Sequence, residues 1–379
     1  MKARLGFNKR LILTALSLSV GGLINVEMVM APYLTALGGS LLTVGVLYSL
    51  RGFIGLLFRL PAGFLSDRLG RKLMLLLCSG LRALGSLILA LASRVYDALY
   101  AVAARSIANV SENPAYLATV GELVEDGSIG IAFGVALSLR NIPSIISPVV
   151  TGFIADSAGF RMLFLVSVTA YVISLSLILL FVKESKVQTL KGYGFRELLR
   201  DRRLLLIFTA FLLVFSGQTA FTPFFNILAV DYVGLSFSQL GLITSLGAAT
   251  ALMTRIASGW LSDKLTPRIE LILAGGFRIV SYILATCAYS FPLLFLTYLV
   301  NRLLIFAPAR NTMIVRIVPS ELRGRAFALM GLAGDLGRII GATVAGLLAE
   351  LYGIGYPFYF MAITGIAFIA LISTVKESY

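Results

Sequence analysis

The sequence predicts an all-α polytopic membrane protein, with twelve transmembrane helices in two pseudo-symmetric six-helix bundles. Of its 379 residues 58% are hydrophobic and only 13% charged, far from the balance of soluble domains. About twelve apolar runs follow one another, each close to the ~20 residues that a bilayer crossing needs. A charged, glycine-punctuated turn at 63–72 also returns 196 residues later in weaker form, as Gly259-Trp260-Leu261-Ser262-Asp263-Lys264.

Taken in order, the runs fall at 11–34, 41–65, 73–93, 97–122, 130–155, 160–182, 204–230, 237–262, 269–289, 292–317, 324–350 and 356–375. The first follows Lys2, Arg4, Lys9 and Arg10, the outline of a secretory leader. It is about twice as long as a leader core and lacks a clear small-x-small cleavage site, so it reads as a retained first span. Between the sixth and seventh runs come Lys183, Lys186, Lys191, Arg196, Arg200, Arg202 and Arg203 with little to bury. This predicts an N-terminal bundle at 1–183, a basic cytoplasmic linker at 184–203 and a C-terminal bundle at 204–379.

Duplication extends beyond the turn. At the 196 offset Arg59 matches Arg255 and Arg82 matches Arg278. At 194, Asn141 matches Asp335, Gly152 matches Gly346, Asp156 matches Glu350 and Gly159 matches Gly353. Parallel repeats of this kind predict two bundles related by an axis along the membrane normal, enclosing a site near the midplane.

The net charge of +14 could suggest a nucleic-acid partner, but its distribution is that of membrane insertion. With the amino terminus inside, about 20 Lys and Arg lie in cytoplasmic segments and only Arg94 and Arg161 in outer loops, so both termini are expected inside. The partner on this count is the lipid bilayer of the cell membrane, not nucleic acid. Cys78 and Cys287 fall near opposite faces and should not pair. The absence of histidine removes the commonest transition-metal ligand, and no phosphate-binding loop is visible, so no cofactor and no enzyme activity are expected.

The 36 glycines are concentrated in the spans, where small residues let helices touch closely. Pro32, Pro114, Pro143, Pro148, Pro223 and Pro308 remove backbone bonds and permit kinks.

Charges inside the spans are the candidate functional residues, because each costs at least ~2.5 kcal/mol at mid-bilayer and needs a partner or water. Depth along the helices pairs Glu27 with Arg105, Glu112 with Arg140, and Arg51 with Asp335, for which Arg310 competes. Arg105, Asn109, Glu112 and Tyr116 fall at helical spacing on one stripe of the fourth span, which predicts a polar face turned to a cavity. Gln218, Thr222 and Asn226 step by four along the seventh span. A helix-knitting role is the alternative for both stripes, with the cavity reading favoured for the fourth span. Arg302 occupies nearly the place of Arg105 in the second half, and together they could clamp an anionic group. Arg59 and Arg255 read as snorkelling arginines at the inner boundary. Arg82 and Arg278 have no partner assignable from sequence.

In the turn itself, Gly63 permits close helix approach, Asp67 suits the positive end of a nearby helix, Gly70 suits a left-handed turn, and Arg68, Arg71 and Lys72 form a basic surface. Gly63 to Lys72 resembles the signature loop of the major facilitator superfamily, G-x-L-x-D-R-x-G-R-K, at every defining position. The resemblance implies the same two-bundle fold, with spans 1, 4, 7 and 10 lining a cavity and 3, 6, 9 and 12 outside. It implies an inner gate in which Asp67, backed by Arg71 and Glu122, meets the start of span 11 near Ser320 to Gly324, with Gly259 and Asp263 as the second copy. Arg105 resembles the arginine of the family's R-x-x-Q-G motif, from which Ala108 and Asn109 depart. Ser147-Pro148-Val149-Val150-Thr151-Gly152 is similar to the G-P-x-x-G-G motif of drug/proton antiporters, with Ser147 and Thr151 replacing glycines. Glu27 with Pro32 resembles the acidic residue and proline of span 1 in drug exporters.

The expected function is secondary transport of a small organic solute by alternating access, as a monomer and with protons as coupling ion, carried by Glu112 with Arg140 as its ionised-state partner and with Glu27 as the runner-up carrier. Export of an amphipathic compound and uptake or exchange of an organic anion both remain open, as does a transport-inactive receptor on this fold.

Overall fold

The computed structural model describes residues 9–122, 136–184, 202–264, 266–318 and 323–375. Among them the chain is all helix, with no strand. In order come α1 (Lys9–Gly21), α2 (Val26–Ala36), α3 (Leu41–Leu69), α4 (Arg71–Leu91), α5 (Asp97–Glu122) and α6 (Pro143–Phe181). A further helical stretch at 136–141 leads into α6. After the linker region come α7 (Arg202–Ile227), α8 (Phe237–Lys264), α9 (Pro267–Thr286), α10 (Phe291–Arg302), α11 (Phe306–Ile317), α12 (Arg323–Tyr352) and α13 (Tyr356–Thr374).

Among the described residues, ten helical stretches are long and apolar enough to cross a membrane. In lipid a helix satisfies its own backbone, which is why these apolar runs take this form and no other. Large apolar side chains point outward along them, including Leu180, Met253 and Ile363, as a lipid-facing surface requires. The chain is therefore a multi-pass membrane protein.

Local chemistry sets the helix ends and breaks. Proline opens α6, α9, α10 and α13 within the first two positions, where its missing N–H costs nothing. Thr266 caps α9 by accepting from the backbone N–H of Ile269. The first span is interrupted between α1 and α2, and the freed N–H of Asn25 donates to Thr151 Oγ1 at 2.7 Å. Past Pro223, α7 widens into a π-helical turn at Leu228–Tyr232. Within α6 the helical path turns at Gly159, whose φ of 76° lies in the region glycine alone enters freely.

The described residues divide into two compact units. Residues 9–29, 54–122 and 136–184 form the first, and 30–53 with the residues after 201 form the second. The first has its core in Leu11, Leu75, Tyr116, Val120 and Ile178. The second is built on Phe211, Phe306, Met313 and Phe368, with the Phe306 and Phe368 rings edge-on at 5.1 Å. Also in the second unit, α3 lies against α12 backbone to backbone: a Cβ added at Gly346 would stand 2.9 Å from Gly45 Cα. One added at Gly52 would stand 2.5 Å from the Asp335 carbonyl.

Candidate functional site

In the first unit, α4 and α5 lie side by side, and α5 turns its polar stripe toward α4 and residues 136–140. Glu112, only 2% exposed, holds two guanidinium groups: Arg82 on one carboxylate oxygen and Arg140 on the other. Arg82 from α4 also donates to Asn109 Oδ1 through Nε and Nη2, at 3.1 and 2.8 Å. Arg140 donates to Asn113 Oδ1 at 2.8 Å and lies over the Tyr116 ring at 4.6 Å. Tyr116 in turn donates to the carbonyl of Ala136 at 2.8 Å. Asn109, Glu112 and Tyr116 on the stripe thus each have a protein partner, which is what a low-dielectric interior demands.

Toward the start of α5, Arg105 Nε lies 3.7 Å from Glu27 Oε1 on α2, and Nη1 donates to Ser86 Oγ at 2.9 Å. Ser86 continues to Ser167 Oγ at 3.0 Å. Gly85 makes the arrangement possible, since a Cβ there would stand 2.7 Å from Arg105 Cγ. The ring of Tyr171 on α6 is shared by Arg82 and Arg105, at 6.0 and 5.8 Å. The charges of Glu27, Arg82, Arg105, Glu112 and Arg140 therefore join α2, α4, α5 and residues 136–140 in one connected network.

In the second unit Asn226 and Asp335 are buried, while Gln218 and Thr222 are half-buried. Arg302 donates to Tyr298 Oη at 2.9 Å and lies over its ring. Arg51 lies over the Tyr48 ring at 4.2 Å. Arg310 is bonded to Asn311 Oδ1, at 3.2 and 3.1 Å. Arg278 sits over Phe306 at 3.9 Å and reaches the carbonyl of Leu304 at 3.4 Å.

At the signature turn Gly70 has φ 90°, and a Cβ there would collide with Glu184. Arg71 donates to the carbonyl of Ala118 and Lys72 to that of Leu179, both at 2.7 Å, while Arg68 is exposed. The expected positions Gly63, Asp67, Glu122, Gly259 and Asp263 lie outside the residues described at side-chain level, as do Arg255, the repeat mate of Arg59, and Ser320 to Gly324 of the gate.

Sequence reasoning missed Asn113, Ser86 and Tyr171, and left Arg82 without its partner. Only the recurrence of Arg82 as Arg278 marked one of them, because hydropathy does not tell which way a helix is rotated.

The chain matches the family model described as Major Facilitator Superfamily over residues 11–300 and 279–378. It is 27% identical to the multidrug resistance protein MdtG of Proteus mirabilis, over 79% of this chain and 77% of that protein. It is 24% identical to the uncharacterized MFS-type transporter YqjV of Bacillus subtilis, over 90% and 86% of the two chains. Among solved structures, a mutant of the nucleoside transporter NupG superposes with a TM-score of 0.80 over 97% of this chain and 99% of that one, at 13% identity. A POT family transporter in complex with 5-aminolevulinic acid superposes at 0.74 over 97% and 94%, at 16% identity. With a matching model along nearly its whole length, this chain belongs to the Major Facilitator Superfamily of transporters.

Proposed function

We propose that this protein is a proton-coupled exporter of small amphipathic organic compounds, working as a monomer by alternating access. Efflux is supported by the similarity to proteins named for multidrug resistance. Twelve spans are supported by two further facts. The ten apolar candidates leave out α5, whose Asp97, Arg105 and Glu112 lower its hydropathy. The stretch Ala136–Phe181 has 46 residues, which at 1.5 Å each is about twice the ~30 Å of a bilayer core, with Gly159 marking the turn. The proposal takes six-span halves at 1–183 and 204–379 around a basic linker, with both termini cytoplasmic. An inner gate of Asp67, Arg71 and Glu122 at one repeat, and Gly259 with Asp263 at the other, completes the reading.

The observation that carries proton coupling is the difference between two carboxylates. Both oxygens of Glu112 are taken by guanidinium donors, so a proton must displace one of them. Glu27 is about a third exposed, and its oxygen stands at the looser distance of 3.7 Å from Arg105. The Glu27 side chain as a whole is far more exposed than that of Glu112, although its Oε1 facing Arg105 is buried, and parting from Arg105 would favour its protonated form. Glu27 is therefore the proton carrier in this proposal and Glu112 the anchor of the charge network. Arg105 then acts as the partner that Glu27 holds when ionised.

The test is proton flux in proteoliposomes carrying an inward-acid gradient, with a panel of amphipathic organic anions and cations. The wild type should discharge the gradient with at least one probe. Glu27→Gln should keep exchange of that probe but lose the coupled discharge. Discharge at the wild-type rate in Glu27→Gln removes the carrier role. A wild type that exchanges no probe and moves no protons removes the exporter reading.

A further inference from the structure

The two halves treat the same arginines differently. Arg82 has Glu112 as its counter-ion, and Arg105 has Glu27. Their repeat mates are Arg278, 196 residues on, and Arg302, 197 residues on. Where the repeat would place a carboxylate for Arg278, the chain carries Phe306, 194 positions after Glu112, and the guanidinium lies on that ring at 3.9 Å. Pro223 stands 196 positions after Glu27. Among the described residues no carboxylate forms an ion pair with Arg278 or Arg302.

Neither arginine is neutralised by what it does touch. Arg278 is 5% exposed, its Nε has no hydrogen-bond partner, and its bond to the Leu304 carbonyl is long at 3.4 Å. The Nε of Arg302 is likewise buried and unpartnered. A ring face and a tyrosine hydroxyl offset part of the desolvation of a guanidinium but leave its full positive charge. The two side chains come from α9 and α10, which are stitched together by Ser281 Oγ on the Thr297 carbonyl at 2.9 Å and Asn301 Nδ2 on Ser281 Oγ at 3.2 Å. Arg278 precedes Ser281 by one turn and Arg302 follows Asn301 directly, so these bonds bring together the two turns that carry the guanidinium groups. Two like charges held together in a low-dielectric setting define a place where a mobile anion lowers the energy.

Aromatic rings adjoin the pair. Tyr298, bonded to Arg302, packs on Phe225 at 5.1 Å, and Phe221 packs on Tyr282 at 5.5 Å. We infer that α9 and α10 carry a binding site for an amphipathic organic anion, with Arg278 and Arg302 taking its carboxylate or phosphonate beside Phe306 and Tyr298, the rings on which the two guanidinium groups lie. Planar guanidinium donors with unused Nε–H groups suit such an oxyanion better than an ammonium would. The inference rests on the transporter reading and narrows its substrate class to anions.

The experiment is calorimetry on the purified full chain with phenylphosphonate, set beside benzyl alcohol and tetraphenylphosphonium. Phenylphosphonate should bind at least roughly tenfold more tightly than either of the others, and Arg302→Gln should weaken it by about the same factor, the scale of one lost charge-assisted bond. Arg278→Lys, which keeps the charge and loses the fork, should weaken it severalfold. Equal or tighter binding of tetraphenylphosphonium by the wild type overturns the inference without any variant having to fold. Undiminished phenylphosphonate affinity in both variants overturns it as well. Coupled flux with a cationic probe would leave the exporter reading standing while this one falls, so the two failures are separable.

Discussion

Glu112 with its two arginines carries a net charge of +1 in a setting where only 2% of the residue meets solvent. Removing different members therefore has unequal effects. Glu112→Gln leaves two guanidinium groups facing each other and should destabilise the protein by ~3–5 kcal/mol, the usual result of orphaning buried charge. Arg82→Gln leaves a neutral Glu112 and Arg140 pair and should cost about half as much. Thermal unfolding in detergent should rank Glu112→Gln below Arg82→Gln, and the reverse order would mean that Arg82, not Glu112, organises the cluster. Part of this was legible in the sequence. Depth arithmetic set Glu112 beside Arg140 and Glu27 beside Arg105, because rise per residue is fixed. It could not place Arg82, since that depends on which neighbour the polar face of α4, with Ser79, Arg82 and Ser86 at helical spacing, is turned toward, and depth alone does not say.

At the level of the helical element, charge and proline shape the path more than propensity does. The helix α5 is the one whose stripe carries most of the site, and for the same reason it falls below the hydropathy of a simple span. The break between α1 and α2 places Glu27 in the first turn of a new helix, where the positive end of the backbone dipole favours a carboxylate. Thr151 holds that break, through the hydroxyl that accepts the Asn25 N–H at 2.7 Å. Thr151→Val keeps the shape and removes the acceptor, so it should cost ~1–3 kcal/mol. Thr151→Ser should restore most of it. Unfolding midpoints of the two variants check this, and a valine variant as stable as the wild type would show that the break is held by packing alone. The sequence offered Thr151 only as a departure from a glycine motif. Its contact lies 126 residues away along the chain, beyond any local pattern.

For the whole molecule, the proposed orientation in the bilayer rests on the concentration of basic residues on one side, and the native cysteines report on it. Cys287 is exposed just past the end of α9, and Cys78 is buried inside α4. With both termini cytoplasmic, an impermeant maleimide added to intact cells should label Cys287 and leave Cys78 untouched. Labelling confined to inverted vesicles would reverse the proposed topology. The repeat made a two-part organisation readable from sequence, because duplicated loops and arginines recur at nearly constant spacing. It did not show that residues 30–53 pack with the second unit. That is a matter of helix-to-helix fit at Gly45, Gly52 and Gly346, and glycines of this kind are scattered through every span. The fit has a further consequence. Where α3 meets α12 at Gly45 and Gly346, main chain touches main chain, so parting and rejoining the two helices neither frees nor freezes any rotamer there. A seam of leucines would lose side-chain entropy at each closure, whereas this one would close with almost none, so in the alternating-access cycle proposed above it would serve as a joint whose two states differ little in order.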